Sequence, residues 1–379
     1  MLSAADVAAF RRDGFLVLPS FVREEKCEAV RRQVWAATAS ALPHLRRSEP
    51  DSWVRPAHPS PGNGVKHGPD GICPHLCWFT DEENVNLGDT GRVQPETGSG
   101  AAGSGPNSRG TTAGDHSDSA LVPTHVGSTI GHRYSVTGRN PQWTAALRDL
   151  IPDNPDVLAV VQQLLGPQED FVGNFDGNGP DDHESGTVYC TLPNGDAPGE
   201  PFPGSERHGE GEAGTLEKHQ RAHFDGCREE RSRLNVTCYI DAVQPRGGGL
   251  LLWPRSHTRI HRKLWSREGM EHRFDAPSGG PVHPEVAAVR RELAAIVREG
   301  RPWAGDCYGP VGTVVLWHHR MAHMGGQNFG RSIRQAVIYR YAKTEAAVPE
   351  SALDTAQADL WRDWAPCLRS DSGGESAKL

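Results

Sequence analysis

The chain has 379 residues, of which 43 are glycine and 29 are proline, and its net charge is −8. The glycine and proline excess predicts long loops, while the lack of a three-residue glycine period excludes collagen. The acidic balance argues against a nucleic-acid binder. No apolar run approaches the ~18 residues of a membrane span, and the N-terminus lacks the basic and apolar regions of a secretory signal. We therefore expect a cytoplasmic protein.

The first predicted elements are a helix over residues 3–12 with Ser3 as its N-cap, a short strand over 15–18 and an amphipathic helix over 23–41. Residues 45–140 are rich in Gly, Pro, Ser, Thr and Asn, which predicts a loop-rich insertion. Helices follow near 141–149 and 155–165, the second with Asn154 as cap.

The second half of the chain is dominated by short β signals with glycine and proline turns, interrupted by a helix over 284–299 and closed by one near 350–364. This pattern predicts an all-β core with flanking helices: a sandwich, barrel or jelly roll in one domain spanning 1–379. The predicted strands cover residues 171–175, 187–192, 234–240, 249–253, 312–317 and 333–341.

Residues 169–218 form an acidic insertion with twelve Asp or Glu against Arg207 and Lys218. The simplest interpretation is a solvated surface loop. Because it lies directly before the motif described next, it also predicts a neutral or cationic small-molecule substrate.

His223, Phe224 and Asp225 form a His-x-Asp motif, in which a strand would point the histidine and the carboxylate to one face. His323 follows a predicted strand, and Arg334 lies eleven residues later. Two histidines and one carboxylate make up the facial triad of non-haem Fe(II) oxygenases. An arginine beyond the second histidine can grip a carboxylate through a bidentate fork.

Four segments resemble the phytanoyl-CoA dioxygenase family of Fe(II)/2-oxoglutarate oxygenases. They are 10–22 (FRRDGFLVLPSFV), 223–225 (HFD), 247–257 (GGGLLLWPRSH, with Arg255 in place of the usual glycine) and 323–334 (HMGGQNFGRSIR). The resemblance implies a double-stranded β-helix of the jelly-roll or cupin kind, with Fe(II), 2-oxoglutarate and O2 as cofactors and co-substrates.

The resemblance also implies roles for individual residues. The iron ligands would be His223, Asp225 and His323, and Arg334 would bind 2-oxoglutarate. His318 and His319 are rivals to His323, but only His323 has the Asn, Ser and Arg follow-on at the family distance. There are three further candidates for the cofactor site. Ser332 would assist Arg334, and Gln220 lies three residues before His223. Trp317 is the third, with core packing as an equal alternative.

The presence of Asp225 favours hydroxylation over halogenation, because the related halogenases have a small residue at this position. The implied reaction is oxidation of a substrate C–H bond with release of succinate and CO2. Two alternatives remain open: a catalytically silent protein that binds metal and 2-oxoglutarate as a sensor or scaffold, and a zinc hydrolase, in which Arg334 would have no role.

Two other features concern thiols and location. The eight cysteines are expected to be reduced, and a zinc site at Cys73 and Cys77 is conceivable but lacks a usual zinc spacing.

The C-terminal tripeptide Ala377–Leu379 is close to the peroxisomal Ser-Lys-Leu address, which would apply in a eukaryote. We expect a monomer or homodimer that binds neither nucleic acid nor membranes.

Overall fold

The computed structural model describes residues 1–41, 45–53, 125–129, 133–137, 141–175, 186–193, 222, 224, 231–264, 292–293, 295–297, 299–300, 305–326, 328–348 and 359–369. Two antiparallel sheets with flanking helices make up this part of the chain. None of its helices is long and apolar enough to cross a membrane. The predicted zinc candidates Cys73 and Cys77 and the C-terminal tripeptide lie outside the described residues.

The first helix, α1 (Ala4–Asp13), begins and ends where the sequence predicts. Ser3 and Asp6 form a reciprocal capping box, in which each side chain accepts a hydrogen bond from the other residue's backbone N–H. Gly14 ends the helix in the left-handed conformation (φ 86°). The chain then enters β1 (Phe15–Leu18), and α2 (Glu24–Ala41) follows.

The larger sheet has eight strands in the order β1-β9-β6-β11-β5-β3-β2, with β4 also paired to β11. Before it is complete, the chain forms α3 (Pro141–Leu150) and α4 (Pro155–Leu165). The long β11 is the central strand of this sheet, because it pairs with β4, β5 and β6. Besides β1, the strands are β2 (His125–Thr129), β3 (Arg133–Thr137), β4 (Phe171–Phe175), β5 (Thr187–Thr191), β6 (Arg233–Tyr239), β9 (Val314–His318) and β11 (Arg334–Lys343).

The smaller sheet has three short strands in the order β10-β7-β8: β10 (His323–Gly325), β7 (Leu250–Leu252) and β8 (Gly305–Cys307). A cluster of buried apolar side chains joins the two sheets, with Leu250 and Leu252 from the smaller sheet and Val315 and Trp317 from the larger one. A helix, α5 (Ser256–Leu264), follows β7.

The two faces of the larger sheet differ in polarity. The outer face carries side chains such as Leu234, Val236 and Leu316, which pack with the helices in the main apolar core. The inner face, toward the smaller sheet, carries Asn235 and Thr237 on β6, both almost completely buried. The outer face therefore packs in the main apolar core, while the inner face also buries polar side chains.

The structure differs from the sequence predictions at several places. Two strands, β2 and β3, lie within the stretch predicted as loop-rich. Their strand conformation is set by pairing, of β3 with β5 and of β2 with β3, rather than by an apolar repeat. Residues 359–364, predicted as helix, form turns before a short 3-10 helix, Pro366–Leu368. Helix α5 has no counterpart among the predictions.

Candidate functional site

His323 is the first residue of β10 and lies immediately after the turn that connects it to β9. Its side chain is buried, and its Nδ1 lies 2.9 Å from the carbonyl oxygen of Met321. Since a carbonyl can only accept, Nδ1 carries the proton and donates it. The lone pair then resides on Nε2, which is the nitrogen that can bind a metal.

Trp317 lies against the imidazole of His323, with the ring centroids 4.3 Å apart. The indole N–H donates to the Thr237 hydroxyl at 3.2 Å, which fixes the ring on the inner face of the sheet. The sequence left open whether Trp317 packs in the core or lines a site. In the structure it is buried in the cluster between the sheets and lies against His323, and its role in a site stays a prediction.

The rival histidines lie on the opposite side of the larger sheet. His318 is paired with Leu234, an outer-face residue, and stacks on Trp364 with ring centroids 5.0 Å apart. His319 stacks on His318 and contacts the backbone of Arg233. Burial holds the pKa of both imidazoles well below the ordinary value, so both are neutral. Their placement among the outer packing favours His323 as the inward-facing histidine.

Arg334, the first residue of β11, is a buried cation. Its Nε donates to the carbonyl of Gly248 at 2.8 Å, and a terminal nitrogen donates to the carbonyl of Tyr189 at 3.3 Å. Among the described residues no carboxylate pairs with it. Burial lowers its pKa, but an arginine stays protonated under all ordinary conditions.

At the other end of β11, Lys343 shows the usual arrangement of a buried cation, because its ammonium lies 3.0 Å from the Asp170 carboxylate. Lys343 thus differs from Arg334, whose partners among the described residues are backbone carbonyls.

The loop before β11 is held by a residue to which the sequence assigned no role of its own. Asn328 is buried, and its amide nitrogen donates to the carbonyls of Thr191 and Ser332 at 2.9 and 2.7 Å. Its side-chain oxygen accepts from the N–H of Gly330 at 2.9 Å. These bonds use both donors and one acceptor position of the amide, and they fix the approach to Arg334. Ser332 itself is exposed.

The His-x-Asp motif is described only at its centre. Ala222 and Phe224 pack against the apolar cluster that contains Leu251 and Met324, the residue after His323. Ala222 and Phe224 therefore lie beside the smaller sheet. His223, Asp225 and Gln220 lie outside the described residues, and the described ones alone contain no group of three side chains that would hold a metal.

Comparisons with known proteins add no family assignment. No protein-family model matches the chain, and no curated protein matches it. Among solved structures it is similar to a non-haem α-ketoglutarate-dependent carbocyclase, SnoK, from nogalamycin biosynthesis (14% identity, 90% of this chain, 84% of that chain, TM-score 0.38). It is also similar to HygX from Streptomyces hygroscopicus with nickel and 2-oxoglutarate bound (12%, 91%, 88%, TM-score 0.40). A third is the epimerase SnoN with Fe3+, α-ketoglutarate and nogalamycin RO (13%, 89%, 82%, TM-score 0.39). Similarity at this level does not establish a shared activity.

Proposed function

We propose that the protein is an Fe(II)- and 2-oxoglutarate-dependent oxygenase built on a double-stranded β-helix, of the kind found in the phytanoyl-CoA dioxygenase family. The observation that carries this proposal is Arg334, a buried guanidinium hydrogen-bonded to backbone carbonyls and to no described carboxylate. Leaving a cation buried without a counter-ion costs several kcal/mol, which binding of an anionic co-substrate would offset.

The donor chemistry at the other end of the site fits a divalent first-row metal. His323 presents Nε2 with its tautomer fixed by the Met321 carbonyl, the usual arrangement of a metal-binding imidazole. We assign the other two ligand positions to His223 and Asp225, supported by the packing of Phe224 beside the strand of His323. When bound, iron and 2-oxoglutarate supply the oxidation of a substrate C–H bond, with succinate and CO2 as co-products.

The chain's own residues would bind the co-substrate, orient it and keep water out of the site. Arg334 would hold the distal carboxylate of 2-oxoglutarate through its guanidinium. Trp317 covers one side of the His323 imidazole and keeps water from it.

Hydroxylation is the outcome we favour, because Asp225 provides the carboxylate that halogenases lack. We further propose a neutral or cationic substrate, supported by the acidic residues of 169–218 before the motif. Efficient oxidation of a polyanionic acyl-CoA would contradict this part of the proposal.

The test is an anaerobic titration with Fe(II) and 2-oxoglutarate, followed by O2 and measurement of succinate across a panel of small molecules. Succinate formation that rises with one class of substrate supports the oxygenase. Tight iron binding without succinate from any of them would favour a sensor, and hydrolysis with Zn(II) in the absence of O2 would favour a hydrolase.

A further inference from the structure

The turn between β9 and β10 is held by Ser256, the first residue of α5. The Ser256 hydroxyl oxygen accepts a hydrogen bond from the backbone N–H of Ala322 at 2.9 Å. Its hydrogen points to the sulfur of Met321 at 3.7 Å. All three residues are almost completely buried, so water does not compete for these bonds.

The peptide group between Met321 and Ala322 connects this serine to His323. Its N–H donates to the Ser256 oxygen, and its carbonyl accepts from Nδ1 of His323 at 2.9 Å. A peptide group whose N–H is engaged becomes a stronger acceptor at its carbonyl, because hydrogen bonds in a chain polarise one another. A single peptide unit therefore links the serine to the imidazole.

The same turn is fixed from a second direction. The backbone N–H of Trp253 donates to the carbonyl of Ala322 at 3.0 Å, and the N–H of Ser256 donates to the carbonyl of Trp253 at 3.1 Å. The segment from Trp253 to Ser256 therefore bonds both the carbonyl and the N–H of Ala322. This rigidity keeps the peptide group aligned between the serine and the histidine.

We infer that Ser256 is a positioning residue for His323: through the Met321–Ala322 peptide it fixes the Nδ1-protonated tautomer and directs Nε2 toward the metal. The inference rests on the proposed function for the metal, but the tautomer itself is a property of the protein without metal. Partners that orient a metal-binding histidine typically change metal affinity by about 10- to 100-fold when removed.

The experiment compares Ser256→Ala with Ser256→Thr, which keeps the hydroxyl. Thr258→Ala is the matched control, because the Thr258 hydroxyl donates to the carbonyl of Arg255 at 2.7 Å on the same helix. The first readout, on metal-free protein, is the 15N signal pair of the His323 imidazole, assigned with His323→Gln. The second is the dissociation constant for Co(II) alone, followed by its visible absorption.

We expect the wild type, Ser256→Thr and Thr258→Ala to show the Nδ1-protonated imidazole and equal Co(II) affinity. Ser256→Ala is expected to show mixed tautomers and at least about 10-fold weaker Co(II) binding. If it does not fold, Ser256→Cys replaces it, since a thiol is a weaker acceptor of similar size.

Unchanged imidazole signals and Co(II) affinity in Ser256→Ala would overturn the inference, as would a Ser256→Thr variant no better than alanine. A wild type that binds no Co(II) would contradict the proposed function instead, and the imidazole signals would still decide the role of Ser256.

Discussion

Replacing Arg334 with methionine should weaken 2-oxoglutarate binding strongly while changing the free energy of unfolding only slightly. The substitution removes two hydrogen bonds, to the carbonyls of Gly248 and Tyr189, each worth about 1 kcal/mol net. It also removes a buried charge that no described carboxylate offsets, whose desolvation costs several kcal/mol. The two effects oppose each other, so the loss in free energy of unfolding should not exceed about 2 kcal/mol.

The effect on 2-oxoglutarate should be much larger. Removing one partner of a buried, hydrogen-bonded charge pair costs about 2 to 5 kcal/mol. At 1.4 kcal/mol per factor of ten, this predicts a dissociation constant higher by about 30-fold to 3,000-fold. Calorimetric titration in the presence of Fe(II) without O2 measures this change, and urea denaturation measures the stability.

Lys343→Met is the matched control, since it removes the buried cation at the opposite end of the same strand. Here the Asp170 carboxylate is left without its partner, so stability should fall while 2-oxoglutarate binding is retained. The reasoning would be refuted if Arg334→Met bound 2-oxoglutarate as the wild type does, or if both variants lost stability and binding together.

Three further predictions concern the scaffold of the site. Asn328→Ala removes three buried hydrogen bonds and should lower the free energy of unfolding by about 3 kcal/mol, measured by urea denaturation. Burial lowers the pKa of His257 to about 4 from 6.5, so the unfolded chain binds more protons between these values and stability should fall as the pH drops through this window. The resulting loss in free energy of unfolding is about 3 kcal/mol at pH 4. In His257→Phe, the urea midpoint should therefore depend less on pH than in the wild type. Gly14→Ala places a Cβ at a φ of 86° and 2.3 Å from the sulfur of Met321, so the melting temperature should drop by several degrees.

Each of these has a clear contrary result. Equal urea midpoints for Asn328→Ala and the wild type would show that the loop before β11 is held by other contacts. A wild-type midpoint that is flat from pH 6.5 to 4 would show that His257 does not stay neutral in the folded protein. An unchanged melting temperature of Gly14→Ala would contradict the close approach of α1 to the β9–β10 turn.

Much of the larger sheet is predictable from local sequence, because its central strands are rich in β-branched and aromatic residues. Strands β6, β9 and β11 fall within about two residues of the predicted segments. The same holds for α1 and α4, whose ends carry Ser3, Asn154 and Gly166 as capping residues. Here the local signal and the tertiary structure agree.

Other elements cannot be predicted in this way, for physical reasons. Strands β8 and β10 have three residues each, too few to show an alternation of apolar and polar residues. They form because each pairs with one side of β7 in the smaller sheet. In α5, the sequence from Ser256 to Leu264 contains mainly polar and basic residues, and two apolar ones, Ile260 and Leu264, are too few to mark it as a helix.

Within the candidate site, motif spacing singled out His323 and Arg334, and the structure adds what spacing cannot show. It places Trp317 against the imidazole and the carbonyls of Gly248 and Tyr189 around the guanidinium. Hydrogen bonds to backbone atoms far away in the sequence have no sequence signature, which is why the bond from Ala322 to Ser256 was not anticipated. The roles of His223, Asp225 and Gln220 stay predictions.

The central claim is that O2 and 2-oxoglutarate react at the site between the two sheets. Oxidative decarboxylation transfers one oxygen atom of O2 into the new carboxylate of succinate. Incubation of the Fe(II)-loaded protein with 2-oxoglutarate under 18O2 should therefore give succinate two mass units heavier, in the wild type and not in His323→Ala or Arg334→Met. Absence of labelled succinate in the wild type across the substrate panel, or equal labelling in all three proteins, would contradict the account.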